Sequence, residues 1–557
     1  MYESFFEKSK KISNDFIKNV LFVDDEIYSS KANKDHNLDA EQLIHAFSKA
    51  KKLCALNNPR NESDFENIVE VAKMADITVL DWRIELENTD FLDESADVEE
   101  IDPRGEFTLR LIKEIISDPF GQGAMKLILV YTGETILKKI VETIYTELKG
   151  ENFCINGRYI EKENIKIIVA GKPSLRGRLR HNPDIEDWIV DSADVPNFLV
   201  EEFSQMTKGL ISNFALQCLN TIRDNTFRIV KLFNKDIDAA YLGHKVLLPD
   251  SNDAELYMVS LLKDCLGDLL HYFKANTFID KESIVLWIKD ELIKEDKKYL
   301  NRKSQLFSDE NGLKLDVCYK VNEELVSDLL FQDEMDVAKK FTTSFKKNNL
   351  GALKNKANKS EFIDHIQLNS TSIFSKPENI DKSNAKFAKL SHHKNLFKPN
   401  SYQPKLSQGT VIKGKESNLY WVCIQQKCDS VRLPDSPARR FLFLPLKEVD
   451  GNNKFNFLTP DDVKLKLIIK SFELRTIKFQ PTNPGENEIL AIENGSSFIF
   501  TPFYASAEKE NAEINQEEFY WSFDLKDLHS QRIINDYATT LSRVGLDETE
   551  WLRRWAP

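Results

Sequence analysis

Residues 19–26 read NVLFVDDE. Four apolar side chains (Val20, Leu21, Phe22, Val23) run without a break into two adjacent carboxylates, Asp24 and Asp25. A short, wholly apolar run with β-branched and aromatic members predicts a strand buried on both faces, the mark of a parallel α/β sheet. In such sheets ligands sit beyond the carboxyl ends of the strands, so the two acids belong at the mouth of the sheet. Adjacent aspartates repel each other, and a site that keeps both invites a cation. Mg2+, which takes oxygen ligands and retains waters, suits them.

The pattern recurs three times. Ile77–Leu80 ends in Asp81, Leu127–Val130 ends at Tyr131-Thr132-Gly133, and Ile165–Ala170 ends at Gly171-Lys172-Pro173. A short amphipathic helix is expected over 3–18. Others are expected over 39–56 (Leu43, Ile44, Phe47 and Ala50 on one face), 65–74, 107–116 and 136–148. The polar stretches 29–37 and 85–102 read as loops. Strands alternating with helices predict a parallel sheet covered on both faces. The strand ends, taken together, bring Asp24-Asp25, Asp81, Thr132 and Lys172 to one crevice. Three carboxylates hold a divalent ion, while a hydroxyl and an ammonium stand ready for phosphoryl oxygens. A carboxylate beside Mg2+ is a competent nucleophile toward phosphorus.

In this order the residues resemble the receiver domain of two-component response regulators, over about residues 15–180. The resemblance implies a doubly wound α/β fold and a phosphoacceptor rather than an enzyme with its own substrate. Asp81 would accept the phosphoryl group. Mg2+ would be held by Asp24, Asp25 and Asp81 with the backbone carbonyl of Arg83. Thr132 would turn toward the phosphoryl group, Lys172 would pair with it, and Gly133 supplies the small residue beside the threonine. The implied partners are a histidine kinase or other phosphodonor protein and a downstream protein. The chain departs from the family in three places. Val169 stands where the family has a switch aromatic. The loop after Asp81 is long, with Pro103 and Gly105 as displaced counterparts of the family's Pro and Gly. Arg83 stands two residues past Asp81, beside the phosphoryl site. Such departures also occur in degenerate receivers that serve as docking modules, so a scaffold or sensor in a bacterial conflict (phage-defence) system is the second reading.

At 557 residues the chain exceeds one ordinary core. The expected architecture is multidomain: a receiver-like domain (1–182), an α-helical domain (183–349), a polar connector (350–405), a small mostly-β barrel or sandwich (406–524) and C-terminal helices (525–557). A net charge of −13 disfavours nucleic acid as the main partner. Seven scattered cysteines with no CxxC pair argue against a disulfide scaffold or zinc ribbon and for a reducing, cytoplasmic setting. No apolar run approaches the roughly 20 residues that span a bilayer, and no secretory leader is visible, so no membrane is expected.

Beyond the receiver the signals are weaker. Arg176, Arg178 and Arg180 form a basic turn with acids following at once, which reads as a solvated linker. Apolar spacing of three and four predicts helices over 198–233, 256–273, 283–293 and 322–345, with no basic recognition helix. His244 and His271 lack i,i+4 partners and read as ordinary histidines. His392-His393 would diverge on a strand and make a poor chelate. Short apolar runs at 420–424, 441–444, 465–469 and 498–500, separated by turn residues such as Pro434, Asp450-Gly451 and Pro484-Gly485, predict β structure. Cys428 beside Asp429 is the candidate nucleophile of a third reading, a hydrolase in the C-terminal half, with His529 or His393 as base. The adjacent carboxylate raises a thiol pKa, which favours a turn or a partner contact instead. Trp551 and Trp555, with Arg553 and Arg554 between them, form an aromatic and arginine face on the last helix.

Overall fold

The computed structural model describes residues 4–27, 40–84, 105–117, 125–150, 152–177, 183–248, 253–294, 301–308, 314–347, 366–367, 370–375, 377–394, 396, 402–431, 433, 438–450, 455–481, 487–503 and 517–541. The expected loops at 29–37 and 85–102, Pro103, Arg178, Arg180, Pro434, Pro484-Gly485 and the face from Trp551 to Trp555 lie outside them. The chain divides into two compact units, Met1–Gln367 and Leu368–Pro557.

The first unit is built on a seven-stranded sheet. Its strands are β1 (Asn19–Val23), β2 (Leu53–Asn57), β3 (Ile77–Leu80), β4 (Lys126–Thr132), β5 (Cys154–Asn156), β6 (Tyr159–Lys162) and β7 (Ile165–Gly171), in the order β2-β1-β3-β4-β7-β6-β5. The first five run parallel, and β6 returns antiparallel to β7. Successive side chains alternate between faces. Phe22, Val79, Leu129 and Ile168 meet α1 (Phe5–Phe16), α2 (Ala40–Lys49) and α6 (Val195–Thr207) on one face. Leu21, Ile128, Val130 and Ile167 meet α3 (Glu62–Met74), α4 (Glu106–Ser117) and α5 (Leu137–Glu147) on the other. The doubly wound arrangement expected from the four apolar runs is present.

Two features of this sheet were not expected. The helix anticipated over 39–56 stops at Lys49, because Lys51 takes a left-handed φ of 59° that breaks it. Lys52 then turns inward and donates to the carbonyls of Asn14 and Ile17, at 2.7 and 3.0 Å, and the chain continues as β2. The β5–β6 hairpin covers the open edge of β7, the kind of edge that otherwise invites foreign pairing. Cys154–Asn156 is exposed throughout, so no hydrophobic alternation announces it.

After α6 the unit is mainly helical. The run 198–233 breaks at Gly209, giving α6 and α7 (Leu210–Leu232) in place of one helix. Then follow α8 (Asp238–Leu247), α9 (Asp253–Tyr272), α10 (Lys281–Trp287), a π turn over Ile288–Lys294, α11 (Glu323–Phe331) and α12 (Val337–Lys347). An unanticipated hairpin, β8 (Asn301–Ser308) with β9 (Lys314–Lys320), interrupts them. Helix α1 ties this region to the sheet domain. Lys8 pairs with Asp280 at 2.9 Å, Ser13 bonds Thr207 at 3.2 Å, and Asn213 donates to Ser9 at 2.8 Å.

The second unit contains a nine-stranded antiparallel sheet, in keeping with the expected β-rich region. Its strands are β10 (Thr410–Gly414), β11 (Tyr420–Cys423), β12 (Arg439–Glu448), β13 (Phe457–Leu458), β14 (Lys464–Leu467), β15 (Arg475–Phe479), β16 (Ile492–Asn494), β17 (Ser497–Phe500) and β18 (Phe519–Asp524). Both faces are apolar: Phe441, Phe443 and Phe479 lie on one, Val422, Leu444 and Phe523 on the other. The segment read as a connector contributes the helix Ile380–His392, and the helix Asp527–Leu541 packs Ile533 and Tyr537 against the sheet. Among the described residues no helix is long and apolar enough to cross a membrane.

Candidate functional site: the acidic mouth of the parallel sheet

Backbone ladders continue past the strand ends and hold the residues there in register. Asp81 N–H donates to Val23 O at 2.9 Å, Asp24 N–H to Asn57 O at 3.1 Å, and Lys172 N–H to Thr132 O at 2.8 Å. The register sets Val23 beside Leu80 and Leu80 beside Val130. Asp24, Asp81, Thr132 and Lys172 are all buried there, and Asp25 is half-buried.

Lys172 Nζ donates to Asp24 Oδ2 and to Asp81 Oδ2, each at 2.7 Å. At 1% exposure the ammonium has lost its water, and the carboxylates replace it. Burial alone would lower its pKa, but the charges of Asp81 and Asp24 outweigh that and hold it above the usual lysine range. Burial raises the Asp24 carboxyl above the ordinary aspartate value, with Lys172 pulling it down and Asp81 pushing it up. Asp24 Oδ1 accepts from Glu26 N–H at 2.9 Å.

Asp24, Asp25 and Asp81 each bring a carboxylate oxygen within 4.8 Å of the others. Asp81 Oδ1 is buried with no hydrogen-bond partner. Three carboxylates, one ammonium and an orphaned buried oxygen fit a hard divalent cation. Arg83 lies half-buried two residues past Asp81. Thr132 Oγ1 accepts from Glu134 N–H at 3.3 Å.

Further contacts support this site. Thr108, in the first turn of α4, donates its hydroxyl to Asp81 O at 2.6 Å and lies 3.1 Å from Trp82 O, clamping the turn that carries Asp81. Gly105 lies flat on the Trp82 ring, where a Cβ would come within 2.1 Å of Cζ2. Val169 packs in the aliphatic core opposite Val130, so no ring stands there. Tyr131, on the other face, donates its hydroxyl to Val190 O at 2.7 Å. Val190 N–H in turn bonds Gly171 O at 3.0 Å, so the segment read as a linker returns to the sheet mouth, with Arg176 paired to Asp191 at 2.8 Å.

A family model described as the response receiver domain matches residues 16–175. Residues 16–175 are a response receiver domain. No family model matches the receiver's continuation after residue 175, and no curated protein or solved structure matches the chain. Receiver domains bind Mg2+ at an acidic aspartate cluster, and this receiver has that cluster in Asp24, Asp25 and Asp81. The domain implies phosphoacceptor signalling with phosphodonor partners such as histidine kinases.

The other candidates sit on other elements of the chain. His244 lies beside Tyr257, 5.3 Å between rings, and His271 is exposed. His392 and His393 converge instead of diverging, because His392 ends a helix: each places Nε2 on Leu458 O, at 3.2 and 2.7 Å. The Cys428 backbone lies in the turn Lys427–Asp429, and Asp429 accepts from Gln425 Nε2 at 2.7 Å.

Proposed function

We propose that this protein accepts a phosphoryl group on Asp81 from a histidine kinase or similar phosphodonor and relays that event to a protein partner. The observation that carries the reading is the Asp81 carboxylate. It is buried at the end of a central strand, with one oxygen on Lys172, the other without a partner, and two more aspartates alongside. Mg2+, held by Asp24, Asp25, Asp81 and the Arg83 carbonyl, would neutralise charge on the phosphoryl oxygens.

The residues of the chain supply the rest. An Asp81 oxygen attacks phosphorus, the P–N bond of the donor phosphohistidine breaks, and the imidazole leaves with the electron pair and takes up a proton. The product is an aspartyl phosphate. Lys172 stays protonated throughout, because two carboxylates hold it so, and it shares its hydrogen bonds with the new oxygens. The Thr132 hydroxyl turns toward those oxygens. The added charge and acceptors bias the strand ends toward a second arrangement, and the helices packed on them read the change. Transfer from a phosphorylated histidine kinase, followed on a phosphate-affinity gel, tests the reading. Label on the wild type and none on Asp81→Asn is expected; equal label on both would place the acceptor elsewhere.

A second reading, a receiver fold kept as a docking scaffold, is favoured by Val169, since no ring stands where the family's relay runs. The unpartnered Asp81 oxygen weighs against it.

A further inference from the structure

Val190 lies beyond the matched receiver span, yet the two strands that carry Thr132 and Lys172 hold it. It is buried, donates its backbone N–H to Gly171 O at 3.0 Å, and accepts at its own carbonyl from the Tyr131 hydroxyl at 2.7 Å. Gly171 directly precedes Lys172, and Tyr131 directly precedes Thr132. The two groups assigned to the phosphoryl oxygens are therefore each next in sequence to a residue bonded to Val190. The neighbours of Val190 are tied to the same place. Ile189 bridges Gly171 in parallel, and Arg176, in the turn after Lys172, pairs with both oxygens of Asp191 at 2.9 and 2.8 Å. The Tyr131 ring is enclosed, with Ser192 Oγ its other polar neighbour at 3.4 Å. A buried hydroxyl parted from its acceptor costs more than the bond itself gains, so a shift of Tyr131 draws Val190 with it.

The segment that Val190 anchors leads straight into α6. Asp191 O accepts from the N–H groups of Asp194 and Val195, at 2.8 and 3.2 Å, and so starts the helix. Helix α6 stacks Phe203 on Phe16, just below the sheet, with ring centroids 5.9 Å apart, and bonds Ser13 of α1 through Thr207. Helix α1 in turn meets α7 where Asn213 reaches Ser9. The α7 side of that seam is polar and incompletely paired. The side-chain oxygens of Asn213, Gln217 and Asn220, spaced four and three residues apart and so on one face of α7, are buried with no hydrogen-bond partner among the described residues. A half-satisfied polar seam is held less firmly than an apolar one, which brings a second arrangement of α1 on α7 within reach of a small push.

We propose that Val190 is the point at which the state of Asp81 leaves the receiver: the Tyr131–Val190 bond carries the turn of Thr132 into α6, and α6 passes it through α1 to α7. The inference rests on phosphoryl acceptance at Asp81 and names how that site controls the helices. The test is amide hydrogen exchange of the full chain, read by mass spectrometry before and after incubation with Mg2+ and acetyl phosphate. Intact mass of the same samples gives the phosphoryl occupancy. In the wild type, exchange over 190–207 is expected to quicken once the adduct is present. Tyr131→Phe keeps the ring and removes only the bond. It is expected to exchange quickly over 190–207 without an adduct and to show no further rise per phosphoryl group gained. A Tyr131 that served packing alone would leave the phosphoryl-dependent rise in the variant, and that result would overturn the inference while leaving acceptance intact. So would an adduct on the wild type with unchanged exchange over 190–207. A wild type that gains no adduct would overturn acceptance at Asp81, and the inference with it.

Discussion

Lys172 is a tightly held cation and an easy one to test. Its ammonium satisfies Asp24 and Asp81 at once. Lys172→Met keeps the bulk and removes the charge, leaving two buried carboxylates without their shared partner. The first unit should lose about 3–5 kcal/mol in urea unfolding at neutral pH. The pH dependence has a defined sign. A lysine whose folded pKa is raised contributes stability that is fully present below its ordinary value of 10.5 and is lost as pH rises through the folded value. Alkaline unfolding of the wild type should therefore show a slope that the variant lacks; parallel curves would mean the ion pairs contribute nothing. Gly105 is the second test at this scale. A methyl group there meets the Trp82 ring at 2.1 Å, and the ring is enclosed. Gly105→Ala should cost about 1–3 kcal/mol and slow acceptance at Asp81, whose turn Trp82 belongs to. An unchanged unfolding midpoint would contradict that packing.

At the scale of elements, the helix Ile380–His392 ends on a titratable residue. Burial lowers the His392 pKa to about 4, and the Leu458 carbonyl opposes this only in part. A histidine with a lowered folded pKa contributes stability that is present above its ordinary value of 6.5 and is lost as pH falls toward the folded value. The second unit should lose stability as pH falls from 6.5 toward 4, and His392→Phe should flatten that slope. The elements also show what a sequence can and cannot disclose. The strands β1, β3, β4 and β7 were legible because burial on both faces demands uninterrupted apolar runs, and the site was legible because each run stops at a chemically distinct residue. Strand β2 was hidden because its half-exposed residues continue the apolar spacing of α2, and only the left-handed Lys51 separates them. The β5–β6 hairpin carries no apolar alternation. The Tyr131–Val190 bond depends on a chain return that no local pattern encodes. His392 and His393 converge because a helix ends between them, which a reading of the pair as a strand reverses.

The whole molecule consists of two units with separate cores, each expected to unfold cooperatively on its own. Calorimetry should resolve more than one transition. Mg2+ should raise only the one that belongs to the receiver, by about 2.7 kcal/mol at a hundred times its dissociation constant. A shift of every transition, or of none, would contradict a cation site confined to Asp24, Asp25 and Asp81. The central claim concerns the Asp81 carboxylate, and intact mass tests it most directly. Wild type and Asp81→Asn are incubated with Mg2+ and a small phosphodonor, and their masses are compared. One phosphoryl adduct on the wild type and none on the variant is the predicted result. An adduct on both, or on neither, would contradict it.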